Sequence, residues 1–124
     1  MAFEARLVKG DPHLAAYIAG ADYAAGEVIS FGGLAAVVHP VAIATGATGN
    51  IAIFGGEWEL AKDGSSGPAV VVGESVAWIV STNLASDVTT GNLPFGQCTV
   101  AGDASTAAIT AFLDPARVAA NTTT

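Results

Sequence analysis

The chain has 124 residues, which suits one domain with one modest core. Eleven acidic residues against four basic ones give a net charge of −7, and the four (Arg6, Lys9, Lys62 and Arg117) are scattered. Nucleic-acid binding needs a concentrated basic footprint, so that class is excluded. No apolar run approaches the ~20 residues of a membrane-spanning helix, so no membrane partner is expected.

The N-terminal segment, Met1-Ala2-Phe3-Glu4-Ala5-Arg6, lacks the basic start and long apolar middle of a secretion signal. Synthesis in a cytosol is therefore expected. Cys98 has no second cysteine to pair with, which agrees with a reducing compartment, and its apolar context suits an inert buried thiol.

Glycines and five prolines separate short runs rich in Val, Ile, Thr and aromatic residues, the punctuation of an all-β domain. Strands are predicted at 3–8, 14–18, 27–31, 34–41, 50–54, 57–61, 69–72, 75–80, 95–100 and 107–113. The second is contested. Asp11-Pro12 followed by Leu14, Tyr17, Ile18 and Gly20 also reads as a short helix with an N-cap, a first-turn proline and a glycine stop.

Gly46-Ala47-Thr48-Gly49 reads as a tight turn feeding an apolar strand. Next, Trp58 and Leu60 share one strand face, with Glu57 and Glu59 on the other. Val76, Trp78 and Val80 oppose Ala77 and Ile79, so both faces of that strand are apolar. Gly26-Glu27-Val28-Ile29 and Gly73-Glu74-Ser75-Val76 look alike, either as a faint internal repeat or as two generic strand beginnings. The stretch 61–68 reads as an exposed loop, Pro115 as a strand stop, and the C-terminal threonines as a polar tail.

Chemistry is sparse. Neither lysine stands in a phosphate-binding loop, no nucleophile elbow is present, and His13 and His39 have no metal-ligand spacing. Glu57 and Glu59 form the one close carboxylate pair on a strand face, and a solvated face is the ordinary use of such a pair. Trp58 and Trp78 suit core anchoring, or alternatively a sugar-stacking platform. No catalytic, cofactor-binding or metal-ligating set is expected. Hydrophobic residues make up 52% of the chain against 12% charged, and mean hydropathy is +0.54. That composition points to apolar surface covered by partners.

From residue 26 to 113 the order of features resembles the phage capsid cement (head decoration) family. The residues that carry the resemblance are Gly26-Glu27-Val28-Ile29, the turn and strand from Ile43 to Ile53, Trp58-Glu59-Leu60-Ala61-Lys62, Gly73-Glu74-Ser75-Val76-Ala77-Trp78, Asn92-Leu93-Pro94-Phe95-Gly96-Gln97-Cys98 and the final hydrophobic Leu113. Gly46, Gly49, Gly73, Pro94 and Gly96 stand as its structural turns, and Trp58 and Trp78 as its anchors. The loop at 64–68, the tail from 114 and the arm at 1–7 depart from the pattern.

The resemblance implies a single all-β domain, a small β-barrel or β-tulip, with an N-terminal arm at 1–8, a core at 9–113 and a tail at 114–124. It implies a homotrimer on the outer surface of a tailed-phage virion, made in the host bacterial cytoplasm. Its partner is the major capsid protein, and it acts by cementing neighbouring capsomers. Phe3, Arg6 and Val8 are the expected contact residues of the arm. A carbohydrate- or ligand-binding β-module on a virion surface is the alternative.

Overall fold

The computed structural model describes residues 4–62, 69–102 and 107–121. Among these lie ten strands and one helix. They are β1 (Ala5–Lys9), β2 (His13–Ile18), β3 (Val28–Phe31), β4 (Leu34–Val38), β5 (Thr48–Phe54), β6 (Glu57–Ala61), β7 (Ser75–Ile79), β8 (Leu84–Ser86), β9 (Leu93–Val100), β10 (Ala108–Leu113) and α1 (Pro115–Asn121).

The strands form two antiparallel sheets, one of six in the order β1-β6-β10-β9-β7-β8 and one of four in the order β2-β5-β4-β3. The expected all-β class is observed, but the sheets stay open and do not close into a barrel. The contested segment 13–18 is a strand, because it finds a full antiparallel partner in β5.

Strand alternation builds the core. From the large sheet come Trp58 and Leu60 of β6, Val76 and Trp78 of β7, Phe95 and Cys98 of β9, and Ile109, Ala111 and Leu113 of β10. Val28, Ala35, Val37 and Ala52 of the small sheet meet them. The opposite residues of the small sheet, Ile29, Ala36, Val38 and Ile51, form a second cluster with Ala19 and Ile43. The small sheet is therefore apolar on both faces. Tyr17 of β2 and Phe31 of β3 reach over the second cluster edge to face, with ring centroids 6.1 Å apart.

The two Gly-Glu beginnings share one local device. Glu27 and Glu74 each close a turn by donating a backbone N–H to Ala24 and Val71, both at 3.1 Å. Their carboxylates accept back from the N–H of Ala24 at 3.0 Å and of Val71 at 2.8 Å. Gly26 and Gly73 occupy the left-handed position of these turns, at φ of +85° and +94°. A third such turn, closed by Ala47 N–H on Ala44, has Gly46 at φ +80°. Its cap comes from a distance: Asp22 accepts from both the N–H and the hydroxyl of Thr45, at 2.8 Å each.

Several expected positions are corrected. Gly49 lies inside β5, not in the turn, where the bare Cα lets the Ile43 side chain pack down on it. Pro94 and Gly96 lie inside β9, not in a turn before it. Pro94 is tolerated there because it sits opposite Ala77, where the β7–β9 register shifts. The predicted strand at 69–72 reduces to a bridge between Val70 and Gly102.

The strand predicted at 3–8 is observed as β1, so residues 5–8 of the expected N-terminal arm are paired along β6. Much of the expected tail is α1, which packs on β9 and against β4. Phe3, the loop at 64–68 and the last three threonines lie outside the described residues.

Glu4 offers a test of this junction. Its carboxylate accepts from Val28 N–H at 2.9 Å. Burial pushes its pKa up; the Val28 bond opposes the rise, and nearby Glu27 adds to it. A raised folded-state pKa means the native state holds the proton more tightly. The benefit is whole below the ordinary carboxylate value and is lost as pH rises through the raised one. Glu4→Gln is therefore expected to raise the melting temperature at pH 7, with the gain disappearing towards pH 3. Paired thermal melts at the two pH values check it.

Candidate functional site

The residues considered for chemistry are not gathered. Glu57 and Glu59 point to the outer face of the large sheet, where Lys9 stands 3.8 Å from Glu57 and Arg6 pairs with Glu59. The strand register sets both pairs, since Arg6 lies opposite Glu59 and Lys9 opposite Glu57. This is a cross-strand charge ladder on an exposed face.

His39 lies on the other side of β6, edge-on to Trp58 with centroids 5.2 Å apart, so it faces neither carboxylate. Desolvation holds its pKa below the ordinary imidazole value. Among the described residues no three His, Cys, Asp or Glu side chains are placed to hold a metal ion. Cys98 is buried, and burial pushes its thiol pKa up, consistent with an unreactive core residue.

Trp58 and Trp78 are each 1% exposed, so both are core anchors and neither is open to stack on a sugar. Trp58 Nε1–H donates to the Gly55 carbonyl at 3.0 Å. The sequence reasoning missed a different aromatic feature. Phe54 is half exposed and meets Phe112 edge to face at 5.6 Å. It separates two clefts. One, of about 520 Å³, is lined by Lys9, Asp11, Pro12, His13, Phe54 and Phe112. The other, of about 210 Å³, is lined mainly by Phe31, Leu34, Ile53, Phe54 and Pro115. The sign of Phe54 in the sequence was its place before the glycine pair Gly55-Gly56, at the end of an alternating strand.

Apolar side chains are exposed at several other places. Val8 projects from β1, and Leu14 and Ile18 from β2. Val71, Val72 and Val100 are exposed where the 70–73 segment runs beside the end of β9. Arg6 is also exposed, on β1.

The molecule is thus a two-sheet β-module with its tryptophans in the core, its carboxylates laddered on a sheet face and apolar residues outside. The chain belongs to the phage cement protein family, whose family model matches residues 8–113. It is thus a structural protein associated with a phage capsid. Comparison with curated proteins and with solved structures finds no match. The family match stops where α1 begins and leaves out residues 1–7.

Proposed function

We propose that this protein binds the outer surface of a tailed-phage capsid as a homotrimer and cements neighbouring capsomers of the major capsid protein. It is made in the host bacterial cytoplasm and joins the virion once the shell has expanded. The observation that carries this reading is family membership over 8–113 in a molecule that exposes apolar side chains on both sheets. A ligand that binds one state of a shell better than another stabilises that state by mass action. Three linked copies multiply weak single contacts.

Arg6 and Val8 support a contact role for β1, because both are exposed on an edge strand. Phe3 extends the same segment outside the described residues. Val8→Asp is expected to weaken head binding about tenfold, from ~1.5 kcal/mol of lost apolar burial. The sugar-binding alternative, as first framed on Trp58 and Trp78, has no exposed tryptophan to support it.

The direct experiment mixes the purified protein with expanded heads stripped of it, taken from the phage or prophage that encodes it. Co-sedimentation in a fixed ratio to the major capsid protein and a higher melting temperature of the heads are expected. Heads that neither retain the protein nor gain stability would overturn the reading.

A further inference from the structure

Four strands end the two sheets, and three of their open edges are guarded. β1 carries Arg6 and Lys9 and a register shift between Leu7 and Lys9, and its Ala5 N–H is taken by the Gly26 carbonyl. β8 has three residues, with Ala85 bridged to Lys62. β3 has four, and its Val28 N–H is given to Glu4. Short length, charge, irregular register and local capping are the usual defences of a sheet edge.

β2 shares only the irregular register, confined to its first step between His13 and Leu14. It runs six residues, His13–Ile18, with no Lys, Arg, Asp, Glu or Pro, and among the described residues its ladder partner is β5 on one side only. The orientation of the open side follows from one hydrogen bond. Ala19 N–H donates to the Ala47 carbonyl at 3.0 Å, on the β5 side. Backbone groups of successive strand residues point to alternate sides. Leu14, Ala16 and Ile18 therefore turn their N–H and C=O groups outward. The side chains of the same three residues are exposed, Leu14 at 38% and Ile18 at 69%. Hydrogen-bonding groups and an apolar row are thus open together.

We propose that this edge accepts an extended strand of the capsid protein, apolar at alternate positions and basic at its two flanks. This deepens the capsid-binding reading above and rests on it. Strand addition of this kind draws affinity from the main chain and specificity from alternate side chains.

Charge decides against a second copy of this chain. The full-length antiparallel self-pairing that keeps the sheet faces continuous centres on Ala16, with Leu14 opposite the partner's Ile18. Exposed Asp11 and Asp22 flank β2 on a chain of net charge −7, so a second copy laid along the edge meets like charge. The same two aspartates bracket a foreign strand that ends in Lys or Arg.

The test measures binding of Ala16→Pro and Ile18→Lys to the stripped heads by co-sedimentation, with the exposed Val88→Lys, in the loop after β8, as control. Ala16→Pro removes an outward N–H and leaves the donors of the β5 ladder in place. Ile18→Lys places a cation in the apolar row and covers the case where the proline variant fails to fold. Both are expected to lose at least tenfold in binding, with solution mass unchanged and Val88→Lys binding like wild type. On wild-type heads the amides of Leu14, Ala16 and Ile18 are expected to gain protection from hydrogen exchange.

Undiminished binding by both variants, where wild type binds, overturns the β2 assignment and leaves the capsid reading standing. A change in solution mass instead of head binding assigns β2 to self-association and overturns it as well. Wild type that does not bind heads overturns both.

Discussion

Gly96→Ala is expected to leave the protein unfolded. A Cβ at this position would stand 1.7 Å from the Phe112 carbonyl oxygen, 2.8 Å from its carbon and 2.9 Å from the Asp114 nitrogen. All three are backbone atoms at the end of β10, so no side-chain rotation relieves the clash. Moving that backbone opens the pairing of Leu113 with Gly96 and strains the bond from Asp114 N–H to the Phe95 carbonyl at 2.9 Å. Leu113 also exchanges backbone hydrogen bonds with Gly55 and Gly56, so the disturbance spreads to the start of β6. The expected cost exceeds the ~4–5 kcal/mol that marks exceptional substitutions, against a total stability of ~5–15 kcal/mol for a typical domain. Gly91→Ala is the control. Its φ of +80° is strained for alanine, but a Cβ there meets nothing within 4 Å, so a loss of ~1–2 kcal/mol is expected. Circular dichroism and urea unfolding of the two variants check the contrast.

Trp58→Ala is expected to cost ~3–5 kcal/mol, the range for deleting a buried large aromatic side chain. The indole fills the core, holds the Gly55 carbonyl and gives His39 a ring to lie against. The more specific expectation concerns phenylalanine. Trp58→Phe loses packing and also leaves the buried Gly55 carbonyl without its indole donor, a further ~1 kcal/mol. Trp78 is equally buried, but its Nε1–H has no hydrogen-bond partner. Trp78→Phe removes an unsatisfied donor and is expected to cost less than Trp58→Phe. Urea midpoints of the two phenylalanine variants give the comparison. An equal or larger loss at Trp78 would contradict the assignment of the hydrogen bond.

Most strands were legible because their alternation is strong. The stretch 57–61 reads Glu-Trp-Glu-Leu-Ala, and β6 occupies those residues with Trp58 and Leu60 inward. Boundaries drifted where turn residues were drawn into strands. Pro94 and Gly96 look like a turn in isolation, and only the partner β10 explains why a residue without a side chain is required inside β9. β8 escaped notice because three residues, Leu84–Ser86, carry too little pattern.

The sequence pair Asp-Pro occurs at 11–12 and at 114–115, and the two have opposite outcomes. The first precedes β2, where pairing with β5 outweighs the local helix signal. The second precedes α1, where Pro115 takes the first helical position and Ala116, Arg117, Ala119 and Ala120 favour a helix. Asp114-Pro115 therefore both stops β10 and starts α1.

The candidate surface was less legible than the fold. Arg6 and Val8 are exposed on a paired strand, and only the register with β6 reveals that Glu59 and Glu57 lie opposite Arg6 and Lys9. The open edge of β2 depends on which strands end each sheet, and sheet order is set by contacts distant in sequence. Alternation alone cannot distinguish an edge strand from a central one.

Electron cryomicroscopy of heads from the phage or prophage that encodes this chain asks most plainly whether the molecule is a shell-binding clamp. Trimeric density of the two-sheet module, lying outside the expanded shell and spanning adjacent capsomers, is the predicted image. Expanded heads made with the protein present, yet bare on the outside, would contradict it.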